Sequence, residues 1–257
     1  MQLRLFISPL SMAFSLALGC ASSPRAPVQL TFAAASVDSA TTAARVAEIL
    51  ATHDRAPDDR ALDGPRHAAD VLTFLDVSPG MFVAELASGS GYFTELLARS
   101  VGSSGLVFAE NPPSLLARQG LVDAWSQRLG RPPAARIVRL DSELPVPLAV
   151  RGLDLIYLGI DYGALRATGI DARAVDAGAW NALRAGGRYV VIDRSPDGAA
   201  RAEVEGFGFR FVGERRFLHG APSPSDWREL APSPSPSPPT PGLEAPEEPV
   251  LLTFARP

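Results

Sequence analysis

The chain has 257 residues, of which 46% are hydrophobic and 20% are charged, a balance typical of one sizeable globular domain. Its net charge of −4 provides no overall positive field for holding nucleic acid, so we expect no nucleic-acid partner. All 24 basic residues are arginine, which excludes chemistry that needs a lysine, such as Schiff-base formation.

The cysteine and histidine content argues against a disulfide and against a metal site. Cys20 is the only cysteine, so no intramolecular disulfide can form. The three histidines, His53, His67 and His219, are far apart and lack metal-ligand spacing.

Residues 1–19 have the layout of a secretory signal peptide. Arg4 supplies a short positive region, and an apolar stretch over residues 5–18 follows it. That stretch is too short and too interrupted to span a membrane as a helix. The pattern therefore predicts an exported protein.

Cys20 directly follows this stretch, in a position that resembles the lipid-attachment site of bacterial lipoproteins. Ala17 replaces the branched aliphatic residue that is usual three positions earlier. A diacylglycerol on Cys20 would tether the protein to a membrane surface without spanning it. Residues 21–23 carry no acidic retention signal, which favours the outer membrane. The alternative is an ordinary signal peptide with an incidental cysteine.

Residues 20–37 are predicted to be a flexible tether, and the globular domain is predicted over residues 38–257. Amphipathic helices are expected over residues 38–51 and 66–75. Strands and helices then alternate, with strands over 82–86, 106–109, 136–140, 153–158, 188–193, 209–216 and 250–255, and helices over 93–101, 115–129 and 172–183. This alternation predicts a parallel sheet covered on both faces.

A Pro/Ser-rich stretch over residues 231–249 interrupts the alternation between the last two strands. Its composition is incompatible with a core element, so we expect an exposed, polyproline-like excursion. A passive linker is the preferred interpretation, ahead of a binding segment.

A glycine-rich turn follows the first predicted strand and opens a helix, with the sequence Glu85-Leu-Ala87-Ser-Gly89-Ser-Gly91. Such a turn lets backbone approach a ligand closely and presents helix N-terminal amides. The dinucleotide fingerprint needs Gly or Ala where this chain has Thr94, and an acid at Glu85 would repel a pyrophosphate. Both features disfavour a nicotinamide-dependent oxidoreductase. The methyltransferase pattern acid-x-Gly-x-Gly-x-Gly is met except at Ala87.

Residues 59 to about 227 resemble a group of class I S-adenosylmethionine-dependent methyltransferases found among exported bacterial proteins. The resemblance rests on DRALDGPRHAADVLTFLDVSPGM, ELASGSGYFTELLARSVGSSGLVFAENPP, WNALRAGGRYVVID and FGFRFVGERRFL, in that order. It implies a three-layer, Rossmann-like α/β fold. The seven-stranded sheet would be mostly parallel, with its last strand antiparallel between the fifth and sixth. It also implies S-adenosylmethionine as the cofactor.

The resemblance assigns cofactor contacts to residues at successive strand ends: Glu85, Ala87, Gly89, Gly91, Glu110, Asn111, Asp141 and Ser142. The Glu85 side of the turn would hold the methionine part, Glu110 the ribose hydroxyls, and Asp141 the adenine. Each acid could instead be a solvated side chain at the sheet edge.

The substrate side of the site is less complete. Methyl transfer needs alignment, exclusion of water and sometimes a base. The family tends to carry Tyr-His-Asp after the fourth strand, where this chain has Tyr162-Gly163-Ala164. Tyr162 would then position the acceptor and Asp161 would be the base, unless Asp161 is simply a loop acid. With no histidine or lysine base, we expect slow transfer or an acidic or already nucleophilic acceptor.

The sequence thus predicts a methyltransferase acting on a small molecule. The alternative is a catalytically weak or inactive exported lipoprotein that keeps the fold as a binding module, a hypothesis favoured by Ala87 and by the missing His-Asp pair.

Overall fold

The computed structural model of the protein describes residues 28–29, 39–113, 116–117, 121–145, 148–167, 169–194, 198–216 and 249–257. The predicted signal peptide, Cys20, most of the tether, His219 and residues 231–248 of the Pro/Ser-rich stretch lie outside the described residues. Among the described residues, no helix combines the length and apolar character needed to cross a membrane.

The described part of the chain alternates helices and strands. The helices are α1 (Ser39–Leu50), α2 (Pro57–Ala61), α3 (Ala68–Leu75), α4 (Tyr92–Ser100), α5 (Leu121–Leu129), α6 (Tyr162–Ala167), α7 (Ala172–Ala182) and α8 (Ala199–Phe207). The strands of the main sheet are β1 (Phe82–Leu86), β2 (Leu106–Glu110), β3 (Ile137–Leu140), β4 (Leu153–Asp161), β5 (Leu183–Asp193), β6 (Arg210–Arg216) and β7 (Val250–Ala255).

These seven strands form one sheet in the order β3-β2-β1-β4-β5-β7-β6. The strands from β3 to β5 pair in parallel, and β7 pairs antiparallel with both β5 and β6. The predicted fold class is therefore confirmed, including the antiparallel last strand between the fifth and sixth.

The sheet separates two layers of apolar side chains. Along β1, Phe82, Ala84 and Leu86 face the layer formed with α7 and α8, whereas Val83 faces the layer formed with α3 and α4. Every residue of β4 is buried. Such strands read as near-continuous hydrophobic runs because helices cover both faces of the sheet.

Three helices depart from the sequence prediction. The sequence predicts no helix between residues 51 and 66, but the structure has α2 there, which begins at Pro57 with Asp58 and Asp59 in its first turn. Proline at the first helical position and acids near the helix N-terminus both stabilise such a short helix. Helices α6 and α8 were not predicted, and α5 is described only from Leu121 onwards.

Strand β5 begins five residues earlier than predicted, directly after α7. Ala185, Gly186 and Gly187 therefore lie within the strand, where they form an irregularity between the pairs Leu153–Leu183 and Leu155–Arg188. A Cβ at Gly187 would lie 2.9 Å from the carbonyl oxygen of Leu153, so glycine is required there.

Candidate functional site

Four buried acids lie at or next to the carboxyl ends of four neighbouring parallel strands. Glu85 of β1, Glu110 of β2, Asp161 of β4 and Asp193 of β5 are 2%, 1%, 6% and 4% exposed. Because these strands are adjacent and parallel, their carboxyl ends meet at one edge of the sheet. Ligands bind at this edge in open α/β sheets.

The carboxyl of Glu85 lies behind the glycine turn. Its Oε2 accepts a hydrogen bond from the Thr94 hydroxyl of α4. Burial raises the pKa of Glu85 to about 8, while the Thr94 hydrogen bond and the charges of Arg128 and Arg66 act in the opposite direction. A Cβ at Gly159 of β4 would lie 3.3 Å from Glu85 Oε1, so the glycine leaves room for this carboxyl.

Glu110 joins the ends of three strands. Its Oε2 accepts from the backbone N–H of Ala87 at 3.5 Å, and its Oε1 accepts from the Ser142 hydroxyl at 3.3 Å. Burial raises the pKa of Glu110 to about 8; these two hydrogen bonds lower it, and the nearby acids Asp141 and Glu143 raise it further. The predicted cofactor residues Ala87, Glu110 and Ser142 are thus brought together.

Asn111 holds the backbone of the glycine turn. Its Oδ1 accepts from the Gly89 N–H at 2.9 Å, and its Nδ2 donates to the Gly89 carbonyl at 3.1 Å and to the Ser88 hydroxyl at 2.8 Å. The amide is therefore engaged with the protein itself, and Asn111 shapes the turn.

The turn requires left-handed backbone at three positions. Ala87, Gly89 and Gly91 have φ angles of +52°, +56° and +77°. Trp125 occupies the space that a side chain at Gly91 would need, because a Cβ there would lie 2.7 Å from Cη2 of Trp125. This glycine therefore packs against α5 on that side.

The two predicted catalytic residues, Asp161 and Tyr162, differ in how many of their side-chain oxygens are hydrogen-bonded within the protein. Asp161 Oδ1 accepts from the Ala164 N–H at 3.1 Å, whereas its Oδ2 is buried and has no partner among the described residues. Burial raises the pKa of Asp161 to about 6, with the Ala164 hydrogen bond lowering it and Asp193 raising it. Tyr162 is 1% exposed, and its hydroxyl donates to Asp176 Oδ2 of α7 at 2.7 Å, so this hydroxyl is turned towards α7.

Asp141 is more exposed than the four buried acids. Its side chain is 34% exposed and pairs with Arg139 of β3 at 2.5 Å. Among the described residues, no group of three or more His, Cys, Asp or Glu side chains is arranged to hold a metal ion.

Sequence reasoning missed four residues of this site. Gly159 makes room for Glu85, Thr94 donates to it, and Trp125 and Arg128 contact the turn from α5. Thr94 entered the sequence argument only as the residue that breaks a dinucleotide pattern. The α5 contacts join residues more than 30 positions apart, and no local pattern signals them.

Comparisons with known proteins agree with this architecture. The TrmN crystal structure from Thermus thermophilus matches with a TM-score of 0.51 at 19% identity, covering 79% of this chain and 53% of that one. The fold is that of the class I methyltransferases. An S-adenosylmethionine-dependent O-methyltransferase structure from Thermotoga maritima aligns over 84% of this chain and 71% of its own, with 19% identity and a TM-score of 0.47.

Two sequence matches fall on shorter stretches of this methyltransferase fold. The family model for protein-L-isoaspartate(D-aspartate) O-methyltransferase matches residues 54–120, which contain the glycine turn and Glu110. A tRNA (adenine(58)-N(1))-methyltransferase, TrmI of Thermus thermophilus, is 51% identical over 43 residues, which is 17% of this chain and 17% of that protein.

Proposed function

We propose that the protein is an S-adenosylmethionine-dependent methyltransferase. The observation that carries the proposal is the group of four buried acids, Glu85, Glu110, Asp161 and Asp193, at one edge of a methyltransferase-type sheet. Burial disfavours the charged carboxylates, which is why the pKa values of Glu85 and Glu110 rise to about 8. A cationic ligand would relieve this cost. The isoaspartyl methyltransferase family match over residues 54–120 supports the same conclusion.

The residues present fit this cofactor. Each oxygen of Glu110 accepts one hydrogen bond, from Ala87 or from Ser142, and an ionised carboxylate offers about four acceptor positions. Two positions thus stay available for a pair of ribose hydroxyls. Asp161 supplies negative charge near the same edge of the sheet, and the ammonium and sulfonium charges of the cofactor would favour ionisation of Glu85.

When bound, S-adenosylmethionine supplies a methyl group on a positively charged sulfur. The protein must then hold the acceptor and take up its proton. Asp161 is suited to the second task, since its Oδ2 is buried without a partner among the described residues and its pKa of about 6 leaves it mostly ionised at neutral pH. The Tyr162 hydroxyl is hydrogen-bonded to Asp176, so Tyr162 would position the acceptor only indirectly, by holding α6 against α7.

Asp161→Asn is the variant that tests this role. A positioned base typically contributes about 10²–10⁴-fold, so turnover at neutral pH should fall by about 10²-fold or more while cofactor affinity stays within about threefold. Unchanged turnover in Asp161→Asn would remove Asp161 from the mechanism.

The acceptor we propose is a small molecule. The exclusion of nucleic acid, expected from the net charge, gains no support from the comparisons, because a curated relative is by name a tRNA methyltransferase. An acceptor screen should therefore include tRNA. The alternative of an inactive binding module, suggested by Ala87 and the missing His-Asp pair, gains no support from the comparisons, which are with methyltransferases.

We also propose that residues 1–19 direct export and that Cys20 carries a lipid anchor, with the domain over residues 38–257 held at the membrane surface by a tether. The support for this is the order of the positively charged start, the apolar stretch and the sole cysteine.

Calorimetric titration with S-adenosylhomocysteine tests the cofactor proposal. The wild type should bind, and Glu110→Gln should bind about tenfold more weakly or worse, because a hydrogen bond to a charged group contributes roughly 1.5–3 kcal/mol. Glu205→Gln, which alters an exposed acid of α8, is the matched control and should bind like the wild type. No binding by the wild type at millimolar ligand would overturn the proposal.

A further inference from the structure

Two side chains of α5 donate hydrogen bonds to consecutive carbonyls of the glycine turn. Trp125 Nε1 donates to the Gly89 carbonyl at 2.7 Å, and Arg128 Nε donates to the Ser90 carbonyl at 2.8 Å. Trp125 is completely buried and Arg128 is 6% exposed, so water does not readily replace either donor.

Arg128 is itself fixed by two other helices. Its Nη1 lies 2.5 Å from Glu95 Oε2 of α4 and 3.0 Å from Asp59 Oδ2 of α2, and its Nη2 donates to Asp59 Oδ1 at 3.2 Å. A guanidinium bound at several of its N–H groups has a defined orientation. The position of the Ser90 carbonyl is therefore set by α2, α4 and α5 together.

The turn depends on such contacts for its shape. Its backbone is left-handed at three positions, and two of these are glycines, which adopt many conformations when unrestrained. Asn111, at the end of β2, hydrogen-bonds to the N–H and the carbonyl of Gly89, and Trp125 of α5 donates a second hydrogen bond to the same carbonyl. The close packing of Gly91 against Trp125 adds a steric restraint.

We propose that Trp125 and Arg128 are positioning residues that hold the glycine turn in its cofactor-binding shape, with no contact to the cofactor of their own. This role rests on the proposed function, because the shape matters only if a ligand binds the turn. Loss of Trp125 leaves the buried Gly89 carbonyl with the Asn111 donor alone, and loss of Arg128 removes a donor from the partly buried Ser90 carbonyl. The turn then relaxes, and the cofactor must reorder it at the expense of affinity.

Arg99 of α4 is a matched control. It also pairs with Glu95, at 3.0 Å, and with an acid of the preceding segment, Asp54, at 2.9 Å. Arg99 also donates to a backbone carbonyl, that of Pro132, but this carbonyl lies outside the turn. Arg99→Met and Arg128→Met therefore remove similar ion pairs, but only Arg128→Met removes a donor to the turn.

The experiment combines hydrogen exchange of the ligand-free protein with titration by S-adenosylhomocysteine, using wild type, Arg128→Met, Trp125→Phe and Arg99→Met. Thermal unfolding first sets a temperature at which all four are folded. Peptides covering residues 86–93 should exchange about tenfold faster in Arg128→Met and Trp125→Phe, and both should bind the ligand about tenfold more weakly. Arg99→Met should match the wild type in both measurements.

Wild-type exchange in both α5 variants would overturn the positioning role, as would equal acceleration in Arg99→Met. If the wild type does not bind the ligand, the proposed function fails, and the exchange data still decide whether α5 holds the turn. Faster exchange with unchanged affinity in the α5 variants would also contradict the inference.

Discussion

Ala87 occupies a left-handed backbone position that the methyltransferase pattern gives to glycine. Its φ angle is +52°, and its peptide N–H points to Glu110. A left-handed conformation costs a residue with a Cβ roughly 1–2 kcal/mol, partly offset by the greater entropy that glycine loses on folding.

Ala87→Gly should therefore stabilise the protein by about 1 kcal/mol. Urea unfolding, with an unchanged slope and a higher midpoint, is the measurement. Ala84→Gly is the control, since Ala84 lies in β1 without a positive φ, and its substitution should destabilise. A destabilised Ala87→Gly would mean that the Cβ contributes more by packing than it costs in strain.

The buried carboxyl of Glu110 predicts how stability varies with pH. Its pKa is about 8 in the folded protein and near 4.5 when unfolded, so between these values the folded state holds more protons. Stability from this group is fully present below about pH 4.5 and is lost as pH rises towards 8. Glu110→Gln, which cannot ionise, should gain stability relative to the wild type by roughly 3–4 kcal/mol between pH 5 and pH 8. Unfolding curves at both pH values measure it, and a constant difference would contradict the raised pKa.

The sequence predicted the location of a site residue where its place at a strand end was enough to define that location. Glu110 could be placed because an acid at the end of the second strand has a defined location in this kind of sheet. The hydroxyl of Tyr162 could not be placed, because its partner Asp176 lies on a helix whose packing no local pattern specifies.

At the level of elements, α5 restricts which side chains the glycine turn can carry, because Trp125 packs against Gly91. Gly91 and Gly169 both have a positive φ, +77° and +79°, but only Gly91 has neighbours in the direction of a Cβ, with Trp125 atoms at 2.7 and 2.8 Å. At Gly169 that direction is open within 4 Å.

Gly91→Ala should thus destabilise the protein by about 2–4 kcal/mol, through both backbone strain and the clash with Trp125. Gly169→Ala isolates the strain and should cost only about 1 kcal/mol. Thermal or urea unfolding of the two variants gives the difference. Equal losses would show that α5 yields to the extra methyl group.

The strands were predictable as elements because continuous apolar runs buried on both faces leave a clear signal, as in β1 and β7. The start of β5 was missed because Ala-Gly-Gly is typical of a turn. In the structure the backbone of Gly186 and Gly187 hydrogen-bonds instead to Arg256, directly after β7. Helix α2 was missed because five residues give too few turns for an apolar period.

At the scale of the whole molecule, the alternation of elements predicts a covered parallel sheet, but not the order of its strands. The antiparallel placement of β7 between the fifth and sixth strands came from the family resemblance, and the structure agrees with it. Tertiary pairing over long sequence distances sets strand order, so no local pattern contains it.

Lipid attachment at Cys20 would determine where the whole protein is located. Expressed in a Gram-negative host, the wild type should incorporate labelled palmitate and partition into detergent, whereas Cys20→Ser should do neither, because the sole thiol is lost. Equal labelling of the two forms would rule out lipidation at Cys20.

The buried acids at the carboxyl ends of the strands are proposed to form the binding site of a cationic cofactor. Glu85 and Glu110 have pKa values of about 8 without a ligand, and a bound cation should lower them. Binding of S-adenosylmethionine should then release protons, and its affinity should rise as pH increases towards about 8 and level off above it. The neutral sulfur of S-adenosylhomocysteine should make its pH dependence shallower.

Isothermal titration with both ligands between pH 6 and pH 9 is the most direct measurement. Affinity for S-adenosylmethionine should rise about tenfold over this range, and the rise should be smaller for S-adenosylhomocysteine. Glu110→Gln should weaken binding and flatten both profiles. Affinity for S-adenosylmethionine that is independent of pH and unchanged in Glu110→Gln, or no binding of either ligand, would contradict it.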